Sequence, residues 1–145
     1  MTKIDFYILS TSGSQAKETM ACKLIGKVYN LKHRVYVHTA SQEDAKQIDE
    51  RLWTYRQDSF LPHEIYKPGQ QPNAPIIIGY QNDPPPSGDD EVLVNLSSTV
   101  PEFFSQFERL TEFVEADDTA RNEARQRFKF YKDRGYELTT HDLKA

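Results

Sequence analysis

The sequence predicts an α/β fold, a mainly parallel sheet flanked by helices, and three observations carry that prediction. Short apolar runs alternate with segments of helical periodicity along the chain, the pattern of repeated β-α-β units. Two of the runs, PIIIGY at 75–80 and VLVNL at 92–96, are almost continuously apolar, as strands covered on both faces must be. The chain has 145 residues and shows no internal repeat and no second apolar core, so residues 1–145 are expected to form a single domain.

Taken in order, residues 4–9 are short, apolar and bounded by Ser, Thr and Gly, which reads as a first strand. Residues 14–30 read as a helix, because Ala21, Leu24, Ile25 and Val28 recur at helical spacing. RVYVH at 34–38 is β-branched and aromatic, a second strand. Ser41 opens a second helix, with Asp44 three residues on in a box-like start. Ala45, Ile48 and Leu52 face inward there, which leaves Trp53 off the stripe. Residues 54–74, with Pro62, Pro68 and Pro72, read as irregular. PIIIGY and VLVNL are strands, and the polar QNDPPPSGDDE between them at 81–91 reads as a mobile loop. Residues 100–107 predict a short helix beginning at Pro101, since proline suits a first helical turn. Residues 107–114 are compatible with strand or helix, and strand is preferred. A long helix follows over 118–134, with Asp117 or Asp118 as its cap and Gly135 as its stop. Residues 136–145 read as a tail that docks through Tyr136 and Leu138.

Composition narrows the function. A single cysteine, Cys22, excludes an intramolecular disulfide, and it falls beside the apolar stripe of the first helix, as a buried structural thiol does. The short apolar run of MTKIDFYILS does not make a signal peptide, and no apolar stretch approaches the roughly 20 residues of a membrane span. A cytoplasmic protein without membrane contact is expected. The net charge of −4 opposes general binding to a phosphate backbone. Yet residues 119–135 carry Arg121, Arg125, Arg127, Lys129, Lys132 and Arg134 against only Glu123 and Asp133. One basic helix on an acidic body suggests a local anionic partner and no direct nucleic-acid contact.

Motifs of catalysis are weak. The loop STSGSQAKET after the first strand stands where a phosphate loop would be, but it holds Gly13 alone and lacks both the G-x-x-x-x-G-K-[ST] and the G-x-G-x-x-G pattern. Ser14 and Lys17 match S-x-x-K without its companion motifs. His33, His38, His63 and His141 have no His or Cys at metal-ligand spacing. No catalytic residue, metal or cofactor is expected.

Two features stand above this background. WTYRQDSFLPH at 53–63 concentrates large apolar groups in a loop, where they either roof the core or form an anchor patch for a protein partner. In RNEARQRFKFYKDR, Arg121, Arg125 and Lys129 are spaced by four and share a helix face, with Phe128 close by. Cations framing an aromatic ring can receive a peptide carrying both a carboxylate and an apolar side chain. The alternative is a solvated face, although such faces usually mix signs.

These residues resemble the chi subunit family of bacterial DNA polymerase III. The likeness runs through FYIL at 6–9, ACKLIGKVY at 21–29, RVYVH at 34–38, IDERLW at 48–53, SFLPH at 59–63 and PIII at 75–78. It continues with VLVNLS at 92–97, VPEFFSQFERLTEFV at 100–114 and ARQRFKFYKDRGYEL at 124–138. The resemblance implies a Rossmann-like fold and a non-catalytic adaptor of the clamp-loader assembly. It implies two partners, the psi subunit and the acidic, phenylalanine-terminated tail of single-stranded DNA-binding protein. By motif match, Trp53, Phe60, Leu61, Pro62 and His63 fall on the psi-facing surface. Val114, Arg125, Phe128 and Lys129 fall on the tail pocket, with Arg121 and Leu138 as neighbours. Phe128 stands where tyrosine is common, and Asn30-Leu31 replaces a glycine turn, asparagine being able to take the left-handed conformation. The competing reading is a nucleotide-binding enzyme, or a degenerate relative of one, on the same fold.

Overall fold

In a computed structural model of the chain, residues 2–10, 16–54, 61–67, 74–80 and 91–143 are described. Seven strands form one sheet: β1 (Lys3–Leu9), β2 (Val35–His38), β3 (His63–Ile65), β4 (Ile76–Gly79), β5 (Val92–Asn95), β6 (Arg109–Val114) and β7 (Glu137–Leu143). Their order is β3-β4-β2-β5-β6-β1-β7, and every pairing is parallel. Among the described residues three α-helices, α1 (Ala16–Asn30), α2 (Gln42–Thr54) and α3 (Asp118–Asp133), flank the sheet. This is the α/β, Rossmann-like fold expected, with a sheet that is wholly parallel.

The alternation of side chains across the sheet divides the core in two. On one face, Ala21, Cys22 and Ile25 of α1 and Ala45, Ile48 and Leu52 of α2 pack on Val35, Val37, Ile76, Ile78, Val92 and Val94. On the other, Ala124 and Tyr131 of α3, with Phe103, Phe104 and Phe107, pack on Ile4, Phe6, Tyr36, Ile77, Leu93 and Leu110. Cys22 is fully buried, and burial pushes its thiol up to about 11, so it is inert as a nucleophile. A side chain at Gly79 would collide with the Tyr36 ring, and this close approach explains the glycine that closes PIIIG.

Helix boundaries follow local chemistry. Ser41 Oγ accepts the Asp44 amide at 3.2 Å, as its position before α2 implies. Asp117 is the cap of α3, accepting the Ala120 amide at 2.8 Å. At the far end the Gly135 amide donates to Lys132 and the Tyr136 amide to Tyr131, with Gly135 at φ +82°. This is the doubly hydrogen-bonded stop that favours glycine.

Four expectations need correction. The left-handed residue after α1 is Lys32 (φ 68°), not Asn30. The Lys32 amide bonds the Tyr29 carbonyl and the His33 amide the Val28 carbonyl, so the same type of stop lies two residues further on. Residues 63–65, taken as irregular, form β3, because Ile65 and the buried His63 pair against β4. The short helix after Pro101 is only a 3₁₀ turn, Phe104–Gln106. The supposed tail is strand β7, paired residue for residue with β1 from Lys3↔Glu137 to Leu9↔Leu143. The N-terminal part of the first helix at 14–15 and the loop at 81–90 lie outside the described residues.

Candidate functional site

Helix α3 is laid on the sheet by one buried polar network. Ala124, Arg127 and Tyr131 recur at helical spacing and are the residues α3 buries. Facing them from the middle of β6 is Glu112, which is wholly buried. Arg127 Nε donates to Glu112 Oε1 at 3.0 Å, while the Tyr131 hydroxyl (2.6 Å) and Asn95 Nδ2 (3.0 Å) donate to Oε2. Asn95 Oδ1 accepts from the Ser97 amide and hydroxyl, and Arg127 Nη1 donates to the Ser98 carbonyl at 3.0 Å. Burial pushes the Glu112 carboxyl up, and Arg127 and the three hydrogen bonds pull against that shift. Burial and the neighbouring Glu112 likewise hold the Tyr131 hydroxyl well above its ordinary range, as the proton donor of the pair. The network fixes the rotation of α3 and ties the 96–99 segment to it. It also removes Arg127 from the basic surface to which its sequence position would assign it.

With Arg127 inward, the neighbouring residues are presented outward. Arg121, Arg125, Lys129 and Lys132 are exposed, and among the described residues no carboxylate oxygen lies within 4.0 Å of any of them. Arg125 Nη1 donates to Asn122 Oδ1 at 3.1 Å. Phe128 is half-buried, edge-on to Phe6 of β1 at 5.3 Å between ring centroids. Ile8, Phe128 and Leu138 rim the core cluster that holds Phe6 and Val114, and Val114 lies beside Ile8 in the pairing of β6 with β1. The six residues Val114, Arg121, Arg125, Phe128, Lys129 and Leu138 are therefore carried by three adjoining elements, β6, α3 and β7. An apolar floor lies beside a row of unneutralised cations.

The second predicted patch is divided by the fold. Trp53, the last large residue of α2, is 52% exposed, its ring 4.4 Å from that of His63. Pro62 is half-buried. Leu61 is only 3% exposed and belongs to the core beneath α1 and α2. His63 is buried too, with Nδ1 2.6 Å from the Leu61 carbonyl oxygen and Nε2 3.0 Å from that of Asp49. Phe60 lies outside the described residues. Within the segment Leu61 roofs the core, while Trp53 is exposed. The two patches stand at opposite edges of the sheet, α2 and β3 at one and α3 and β7 at the other. At about 4.8 Å between strands, the edges are about 29 Å apart.

Elsewhere, Lys17 donates to the Leu96 carbonyl at 3.0 Å and lies 3.7 Å from Glu115 Oε1, while its S-x-x-K partner Ser14 is outside the described residues. Among the described residues no group of three or more His, Cys, Asp or Glu could hold a metal ion, and no helix is long and apolar enough to cross a membrane.

The family model described as DNA polymerase III chi subunit, HolC, matches residues 1–139. The chain is 33% identical over 143 residues to DNA polymerase III subunit chi of Pseudomonas aeruginosa, covering 99% of this chain and 98% of that protein. It is 30% identical to the protein of the same name from Haemophilus influenzae, over 95% of each. To that of Escherichia coli it is 28% identical, over 97% of each. Among solved structures, the crystal structure of T4 UvsW superposes with a TM-score of 0.68 at 9% identity, over 98% of this chain and 41% of that one, a likeness of fold alone. A match across residues 1–139, together with the near-complete coverage of the Pseudomonas protein, places the chain in the DNA polymerase III chi subunit family.

Proposed function

We propose that the chain is a non-catalytic adaptor of the DNA polymerase III clamp-loader assembly. It joins that assembly, through the psi subunit, to the acidic C-terminal tail of single-stranded DNA-binding protein in the cytoplasm. The observation that carries the reading is the surface of α3. Arg121, Arg125 and Lys129 stand exposed, without carboxylate partners among the described residues, beside the half-buried Phe128 and the apolar floor of Val114 and Leu138. A chain end offering a carboxylate and a phenyl ring is complementary to it, the guanidinium taking the charge and the floor taking the ring. The psi-facing surface comprises Trp53, Phe60, Leu61, Pro62 and His63, of which Trp53 is exposed and Leu61 and His63 are buried. The separation of the two patches across the sheet suits a linker that holds both partners at once.

At micromolar affinity a single contact would supply about −8 kcal/mol. Coated single strands display many tails, and tethering raises the effective affinity without new contacts. The binding should weaken with salt, because its charged groups are exposed. Titration of purified Arg125→Ala and Lys129→Glu variants with a fluorescent tail peptide tests the assignment. Each should lose affinity at least tenfold with an unchanged melting temperature. Wild-type affinity in both would remove the pocket from α3.

A further inference from the structure

Strand β7 forms the outer edge of the sheet. It is seven residues long, contains no proline, lysine or bulge, and pairs in unbroken register with β1. In a parallel strand alternate residues turn their N–H and C=O groups to opposite neighbours. About half of the backbone groups of β7 therefore face away from β1, and among the described residues no backbone partner meets them. Natural sheets blunt such edges by shortening them or by inserting proline or lysine. The opposite edge follows that rule, since β3 has three residues and comes directly after Pro62.

The surroundings of β7 leave the edge open. On the α1 face, the strand is clamped to β1 by side chains: His141 Nε2 lies 3.0 Å from Asp5 Oδ1, and its ring stacks on Tyr7 at 4.6 Å. On the α3 face, Leu138 is half-buried while Thr140 and Asp142 are exposed, so the outer part of the strand stays uncovered. Helix α3, which packs beside β7, presents Arg121, Arg125 and Lys129 exposed and Phe128 half-buried against Phe6.

We infer that β7 is a strand-addition site: an acidic peptide pairs its backbone with the free edge, its carboxylates lying along the α3 cations and its apolar end on Phe128. The inference rests on the tail-binding reading above and adds how the peptide is held. Charge selects the occupant. Arg121, Arg125 and Lys129 have no carboxylate partner among the described residues, whereas β7 itself carries Glu137 and Asp142. A second copy of β7, with Glu137 and Asp142 of its own, is less suited than an anionic chain. Main-chain pairing would supply affinity with little demand on sequence, leaving selectivity to the cations and the apolar floor.

The test uses the full chain and a short synthetic acidic peptide ending in phenylalanine. A set of peptides carries one N-methyl group each, walked along the backbone, and amide hydrogen exchange of the protein is followed by NMR. Strand addition predicts a loss of tenfold or more at alternate peptide positions, with new protection at alternate amides of β7. Binding that needs Arg125 but tolerates N-methylation everywhere, with β7 exchange unchanged, overturns strand addition and leaves the pocket intact. No binding of the unmodified peptide overturns both. Concentration-dependent protection of β7 without peptide means that a second copy covers the edge, which also overturns the proposal.

Discussion

Replacing Arg127 by Met is the sharpest test of how α3 is held. The change keeps a long side chain of similar reach but deletes the guanidinium that donates to Glu112 at 3.0 Å and to the Ser98 carbonyl at 3.0 Å. Glu112 stays in place, wholly buried, with only Tyr131 and Asn95 to compensate its charge. Removing one member of a buried ion pair costs about 3–5 kcal/mol, because the survivor is left desolvated and unpaired. Domains of this kind unfold with about 5–15 kcal/mol, so the loss is a large fraction of the total. For a chain of this length the melting temperature should fall by roughly 10–15 °C, and the urea midpoint by about 2 M if the slope is near 2 kcal/mol/M. Arg125→Met, two residues earlier on the same helix but exposed, is the control and should shift stability by less than about 0.5 kcal/mol. Adding Glu112→Leu to Arg127→Met should restore part of the loss, since no uncompensated carboxylate then remains in the core. Urea unfolding of the four proteins, with equal slopes, decides the matter. If Arg127→Met costs no more than Arg125→Met, the pair does not hold α3, and the outward direction assigned to Arg125 and Lys129 falls with it.

Other residues give independent checks. His38 is buried, its Nδ1 without a hydrogen-bond partner among the described residues, and burial lowers its pKa from 6.5 to about 4. Above pH 6.5 its titration does not affect stability; between 6.5 and 4 only the unfolded chain takes up the proton, so stability should fall by about 1.4 kcal/mol per unit. His38→Phe should flatten that part of a stability-versus-pH curve, and an unchanged slope would show that His38 is not sequestered. Leu61→Ala should cost about 2–5 kcal/mol as a core cavity and Trp53→Ala less than about 1 kcal/mol. Calorimetry of the two variants, beside co-purification with psi, would contradict the division of the patch if the order were reversed. Lys32→Gly should stabilise by up to about 1 kcal/mol, since glycine takes φ 68° without steric cost; a destabilised variant would refute the turn after α1.

Much of this architecture was legible in the sequence, for reasons that also explain the gaps. Helical spacing exposed the stripes Ala21–Ile25 and Ala45–Ile48–Leu52, and continuous apolar runs exposed β4 and β5, because both signals arise from burial. Strand β7 gave no such signal. ELTTHDL is an edge strand with solvent on much of both faces, so its polar residues resemble a tail. Arg127 was hidden by the charge run around it, although its place between Ala124 and Tyr131 is a core position. Its partner Glu112, set between Leu110 and the Phe113–Val114 pair, was the available hint. Lys32 offered none, since lysine has no preference for left-handed backbone. For the site, spacing by four showed that Arg121, Arg125 and Lys129 share a face. The convergence of Val114 and Leu138 on that face depends on strand order, which lies outside what periodicity encodes.

The position of β1 has a consequence for biosynthesis. Both of its neighbours, β6 and β7, come from the last part of the chain, so the earliest strand to leave the ribosome must wait for residues 109–143 before its backbone is paired. Contacts of such long sequence separation slow folding, and an apolar strand kept waiting is open to aggregation. A premature stop before residue 137 would leave β1 with a bare flank and would be expected to yield insoluble protein, even though most of the apolar residues of the sheet had already been made.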